Sequence, residues 1–185
     1  SYLFRQVRGG KKRISAEWSG GLASAAIFGS FVIGLLCFLD GGALEQVCFQ
    51  WMAVPGLTVD FTLRLDELSS LFVLVITGVG TLIHLYSIGY MHEDESPAKF
   101  FAYLNLFCSA MLILVLGGSP PVLFLGWEGV GLCSYLLIGY WYEDREKAQA
   151  GKKAFVVNRI GDLGFLLGMF ILFGLFGTLD FSALR

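Results

Sequence analysis

Three charged residues, Glu128, Arg159 and Asp162, stand inside long apolar runs, where charge is expensive and therefore informative. Glu128 lies in VLFLGWEGVGLCSYLLIGY, about 10 Å beyond Pro121 if the run is helical. Asp162 lies in AFVVNRIGDLGFLLGMF, about 12 Å beyond Ala154, with Arg159 three residues earlier on the same helical face. A carboxylate near the centre of a bilayer costs at least about 2.5 kcal/mol on insertion scales, and such groups usually face a bundle interior and line an ion pathway. Burial penalises the charged form, which suits a group that takes up and releases a proton, whereas a neighbouring cation holds the charge in place. Glu128 is accordingly the first candidate for proton transfer, ahead of a hydrogen bond that merely packs two helices. Asp162 has two readings: a proton carrier in its own right, or, with Arg159 as charge partner, a pair that biases the charge on Glu128 across an antiparallel helix contact. His84, in TLIHLYSIGY, is a possible proton relay because imidazole titrates near neutrality, and a hydrogen bond to a neighbouring helix explains it equally well.

The elements that must hold these residues follow from composition. Of 185 residues, 56% are hydrophobic and 15% charged, against about 25% charged in a soluble domain, so much of the surface must face lipid. The net charge of -2 is gathered in clusters between uncharged runs, which excludes a nucleic-acid footprint. Runs at residues 20–39, 67–90, 100–117, 121–142 and 154–176 meet or approach the roughly twenty residues needed to span a bilayer. Lipid offers backbone groups no partners, so these runs are read as helices of an all-α membrane protein.

Residues 40–66 depart from this pattern. LTVDFTLRL, Leu57 to Leu65, alternates strictly, and Pro55-Gly56 separates it from Val47–Val54, so a short extracytoplasmic β-hairpin is expected after the first helix. Basic residues set the orientation: Arg5, Arg8, Lys11, Lys12 and Arg13 in segment 1–19, and Arg145, Lys147, Lys152 and Lys153 in loop 143–153, belong in the cytoplasm with loop 91–99. The linker 177–185 then falls outside. The acids Glu93, Asp94, Glu95, Glu143, Asp144 and Glu146 read as solvated loop surface. The chain has no initiator Met and stops abruptly at Arg185, as expected of a piece of a larger bundle.

Cys37, Cys48, Cys108 and Cys133 lack a CxxC spacing and read as packing thiols, with no metal site implied. Gly126, Gly129 and Gly131 surround Glu128, and Gly161, Gly164 and Gly168 surround Asp162, the last pair forming GxxxG; such residues let helices approach closely. None follows a strand as a dinucleotide fingerprint requires, so no cofactor site is expected in this chain.

HLYSIGYMHED (His84–Asp94), FLGWEGVGLCSYLLIGYWYE (Phe124–Glu143) and KAFVVNRIGDLGF (Lys153–Phe165) resemble the subunit L / chain 5 family of NADH:quinone oxidoreductase, respiratory complex I. The likeness in order and spacing extends from about Leu57 onward. Mrp-type sodium/proton antiporter and bicarbonate-uptake subunits share much of it. The resemblance implies an antiporter-like, proton-translocating subunit without a redox centre, embedded among other membrane subunits, with NADH, FMN, iron–sulfur clusters and quinone handled elsewhere in the complex. It implies a bacterial inner membrane, or alternatively the mitochondrial inner membrane. In that family the glutamate of the GWEGVG helix is the protonatable residue of the first half-channel, which maps to Glu128, with Arg159 and Asp162 as charged partners. Members also carry a membrane lysine on a later helix, and no lysine lies inside the five runs here. Gly118-Ser119-Pro120-Pro121 also stands where relatives more often have an Asp-Asn pair.

Overall fold

A computed structural model describes residues 16–41, 43–54 and 56–181, so the leading basic cluster lies outside the described residues. The order is α1 (Ala16–Asp40), β1 (Leu44–Val54), β2 (Leu57–Leu65), α2 (Glu67–Tyr90), α3 (Pro97–Leu116), α4 (Pro120–Ile138) and α5 (Arg145–Phe176). All five helices are long and apolar enough to cross a membrane, and most of their large hydrophobic side chains are exposed. That outward exposure is what lipid requires and water forbids. The chain is a multi-pass membrane protein.

Without a hydrophobic drive between helices, close contact depends on small residues. On α1, Ala16, Gly20, Ala23, Ser24, Ile27 and Gly34 form the buried stripe. A Cβ at Gly20 would lie 2.6 Å from Ile88 Cγ1 of α2, and one at Gly34 would lie 2.9 Å from Val73 Cγ1. The buried residues of α2 are mostly polar: Ser69, Ser70, Thr77, Thr81, His84 and Ser87 beside Val73 and Gly80. This polarity is tolerated because the hydroxyls bond back along their own helix, Thr77 Oγ1 to the Val73 carbonyl at 2.6 Å and Thr81 Oγ1 to that of Thr77 at 2.7 Å. Helix α2 starts at a capping box in which Ser69 N–H donates to Asp66 Oδ1 and Asp66 N–H donates to Ser69 Oγ.

The packing order places α3 centrally: α1, α2 and α4 all touch it, and α5 packs on α4. Among the described residues α2 touches neither α4 nor α5. The β-hairpin is antiparallel from Leu44↔Leu65 to Val54↔Leu57, with irregularities at Cys48 and Trp51, and Gly56 takes a φ of +88° at its turn. Among the described residues Val59 is its one fully buried side chain. Gly118 N–H donates to the Thr62 carbonyl at 2.9 Å, which pins the hairpin over the α3–α4 turn at one end of the bundle. At the opposite end the α2–α3 and α4–α5 connections meet, as alternating crossings demand.

Several boundaries differ from the expected ones. Helix α1 begins at Ala16, four residues before the expected start at Gly20, and α3 begins at Pro97, whose fixed φ suits the first turn. Helix α4 begins at Pro120 for the same reason but ends at Ile138, and Tyr140 and Trp141 fold back onto the α2–α3 loop. Segment 143–153 is largely helical: Asp144 caps α5 by accepting from Glu146 N–H at 3.0 Å, and α5 then runs for 32 residues, about 48 Å. Its charged first turns extend past the roughly 30 Å hydrocarbon layer.

Asp94 also departs from expectation. It is no mere loop surface, because its carboxylate accepts from Tyr140 OH at 2.9 Å, Trp141 Nε1 at 2.9 Å and Ser96 N–H at 2.8 Å, clamping the two connections together. Beside it the Lys99 ammonium lies 4.7 Å from the Tyr142 ring centre and faces Tyr103 and Tyr140 as well. Burial and the Asp94 carboxylate push the Tyr140 hydroxyl well above its ordinary range. This belt of aromatic and cationic groups fits a membrane interface.

Candidate functional site

Helix α4 divides its surface between two neighbours. Val122, Gly126, Gly129 and Cys133 recur at helical spacing and face α3, where a Cβ at Gly126 would stand 2.6 Å from Leu114 Cα and 2.9 Å from the Ala110 carbonyl. Only glycine permits that approach. The next stripe, Phe124, Trp127, Glu128 and Tyr135, faces α5. From α5 the answering residues are Gly151, Phe155, Arg159, Asp162 and Phe165, and Gly151 meets the backbone of Gly139 and Tyr135 where the antiparallel pair closes. Gly161, Gly164 and Gly168 do not serve this contact: an added Cβ meets nothing at any of them, so the GxxxG pair lies on the open side of α5. Gly131 is likewise open.

The α4–α5 seam brings three of the four predicted site residues together. Arg159 Nη1 donates to Glu128 Oε2 and lies 3.6 Å from Asp162 Oδ2. The other Asp162 oxygen accepts from Trp127 Nε1 at 2.7 Å. The Asp162 side chain is 6% exposed, that of Glu128 22% and that of Arg159 47%, so the cation reaches over the edge of the seam toward the two acids. One guanidinium thus serves two carboxylates with a net charge of -1, and a single added proton would neutralise the cluster. Such a set alternates between a net charge of -1 and neutrality as it exchanges one proton, with the guanidinium paired throughout.

His84 is placed elsewhere. It is fully buried on α2 between α1 and α3, its Nδ1 pairing with the Gly80 carbonyl at 2.7 Å and its ring 6.3 Å from that of Phe101. Helix α3 stands between α2 and α4, so His84 is not brought against Glu128 among the described residues. Trp127 is the residue that sequence reasoning missed. Its signal was its position, immediately before Glu128 and therefore on a flank of the same face, but an indole among seventeen phenylalanines and seven tyrosines reads as ordinary lipid-facing bulk.

Residues 51–101 match the family model described as NADH-ubiquinone oxidoreductase (complex I), chain 5 N-terminus, and residues 121–185 match that described as NADH:quinone oxidoreductase/Mrp antiporter, TM. NADH-quinone oxidoreductase subunit L of Mycobacterium tuberculosis is 48% identical over 180 residues, covering 94% of this chain and 28% of the relative. The subunit L of Pseudomonas aeruginosa is 51% identical over 145 residues, covering 78% and 24%. A solved Mrp complex from Dietzia sp. DQ12-45-1b superposes with a TM-score of 0.71 at 25% identity, covering 88% of this chain and 20% of that one. The chain therefore spans about a quarter of the length of the curated relatives it matches. Its two family matches, its close relatives and the five helices of its described residues place it in the antiporter-like subunit L / chain 5 family of NADH:quinone oxidoreductase.

Proposed function

We propose that this segment carries a proton-transfer site of an antiporter-like membrane subunit of NADH:quinone oxidoreductase, with Glu128 as the acid that exchanges the proton. The observation that carries this reading is the shared guanidinium: Arg159 bonds Glu128 while standing 3.6 Å from Asp162. With Glu128 ionised, Arg159 holds the Glu128 charge. When Glu128 takes a proton from water, its carboxylate charge vanishes and the guanidinium is free to turn to Asp162 Oδ2. Release of the proton restores the first pairing. Each state leaves the cation matched; with Glu128 ionised the excess negative charge rests on Asp162, whose Oδ1 accepts from Trp127 Nε1 at 2.7 Å. Asp162 acts here as the second docking point for Arg159.

Electron transfer then acts at a distance. Redox work in other subunits, which hold the NADH, FMN, iron–sulfur and quinone chemistry, alters the ions facing Arg159 and so decides whether Glu128 is charged. This chain contributes the proton step and its partners are the neighbouring membrane subunits; the bacterial inner membrane is the proposed location, in keeping with its bacterial relatives. The test is proton pumping by the full-length subunit in its assembled complex. Glu128→Gln should abolish most pumping per electron and Glu128→Asp should retain part of it; unimpaired pumping in the Gln variant rejects the reading. The likeness to the Mrp complex supports one competitor, sodium/proton exchange at the same seam, which requires sodium-dependent transport without NADH oxidation.

A further inference from the structure

We propose that Trp127 is the positioning residue that directs the mobile proton to Glu128, by holding Asp162 as the standing anion of the cluster. The inference rests on the proton-transfer reading of Glu128 and names what decides between the two acids. Trp127 and Glu128 are consecutive on α4, and both reach α5: the indole N–H donates to Asp162 Oδ1 at 2.7 Å while Glu128 accepts from Arg159. Phe165 lies parallel to the indole, 20° between planes with ring centres 6.3 Å apart, and stacks on Phe124 at 5.3 Å, so the ring is held at both the hydrogen bond and the face.

An indole N–H is a donor only, so it supports a carboxylate oxygen and cannot receive the proton itself. The cluster carries two carboxylates and one guanidinium, and the first proton goes to the acid whose anion is less well supported. Asp162 has the indole as well as the guanidinium; among the described residues Glu128 has the guanidinium alone. Burial alone would choose the other way, since Asp162 is the more enclosed of the two. The indole bond, present at Asp162 and not at Glu128, is the feature of the seam that opposes burial.

The surrounding titratable groups leave this balance to the four residues. Helix α3 carries Lys99, Tyr103 and Cys108, and strand β2, which also touches α4, carries Asp60 and Arg64; α4 itself carries Cys133 and Tyr135; the remaining charges of α5 lie at Arg145, Glu146, Lys147, Lys152 and Lys153. Among the described residues none of these is hydrogen-bonded or ion-paired to Glu128 or Asp162.

Infrared spectroscopy of the assembled, full-length complex tests the inference, with carbon-13 aspartate separating the aspartic from the glutamic carboxyl stretch. In Trp127→Phe the proton's partition should move toward Asp162 by about tenfold to a hundredfold, the worth of one hydrogen bond to a charged group. A label-sensitive aspartic-acid band should therefore appear and should vanish again in Trp127→Phe/Asp162→Asn. A Trp127→Phe complex whose carboxyl band stays insensitive to the aspartate label overturns the proposal. A second measurement leaves Trp127 in place: the resonance Raman signature of a hydrogen-bonded indole N–H should be lost in Asp162→Leu and kept in Glu128→Gln, and its persistence in Asp162→Leu overturns the proposal as well. Intact pumping in Glu128→Gln would instead remove the underlying proton-transfer reading, so the two failures are distinguishable.

Discussion

Arg159→Met removes the one cation that both acids of the seam share, and its cost follows from the geometry. At the 3.6 Å separation from Asp162, and with an effective dielectric of about 20, the gross attraction is about 5 kcal/mol. The guanidinium is nearly half exposed, and its own desolvation works against that attraction, so the net contribution falls toward the 1.5–3 kcal/mol typical of about one hydrogen bond to a charged group. We expect Arg159→Met to destabilise the α4–α5 pair by about 2–3 kcal/mol and Glu128→Gln by about 1–2 kcal/mol. The double variant should cost less than their sum by about 1.5 kcal/mol or more, because the bond between them can be lost only once. Denaturant titration of the full-length subunit in mixed micelles reads all four corners of the cycle. Losses that add to within about 0.5 kcal/mol would mean that the two residues are not coupled, and would refute the shared-cation reasoning.

Three further outcomes are expected. Gly126→Val forces α4 off the Leu114 backbone and should lower stability by about 1–3 kcal/mol, with a drop in assembled complex on native gels. Tyr140→Phe removes one donor from Asp94 and should cost about 0.5–1.5 kcal/mol, read as faster amide exchange in both loops that Asp94 joins. The Glu146 N–H and then the Lys147 ammonium hold the Asp144 carboxyl below its ordinary value. The sign is that of a depressed acid: this capping contribution is complete above about pH 4 and is lost as pH falls through the lower, folded value. Exchange at the first turn of α5 should therefore rise only in strong acid, and Asp144→Ala should show that fast exchange at every pH.

Much of the fold was legible because the bilayer leaves a chain few options. An uncharged run near twenty residues must become a helix, and strict alternation from Leu57 to Leu65 marked a strand, although its burial alternates only from Leu57 to Asp60 and both faces are half-covered from Phe61 on. Helix ends were harder, since hydropathy is silent on them: nothing apolar marks Arg145–Lys153 as helical, and it is the Asp144 cap that starts α5 there. Within the site, Glu128, Arg159 and Asp162 stood out by type, a charge where oil should be. Their contact depends on the antiparallel register of α4 and α5, set by the meeting of Gly139 and Gly151, which spacing within either helix does not reveal. Trp127 and Asp94 were hidden for opposite reasons, one looking like bulk in lipid and the other like a solvated loop acid, until a distant partner gave each a role. His84 drew notice by type, and its place behind α3 depends on packing order, which pattern alone does not encode.

The most direct measurement is chemical: a membrane-soluble carbodiimide reacts with a protonated carboxyl buried in lipid, and peptide mass spectrometry locates the adduct in the full-length, assembled complex. Modification should fall on Glu128 with Asp162 spared, should quicken as the pH is lowered, and should extinguish proton pumping in proportion to its extent. Pumping that survives complete modification of Glu128, or that is lost while Glu128 stays unmodified, would contradict its assignment as the acid that exchanges the proton.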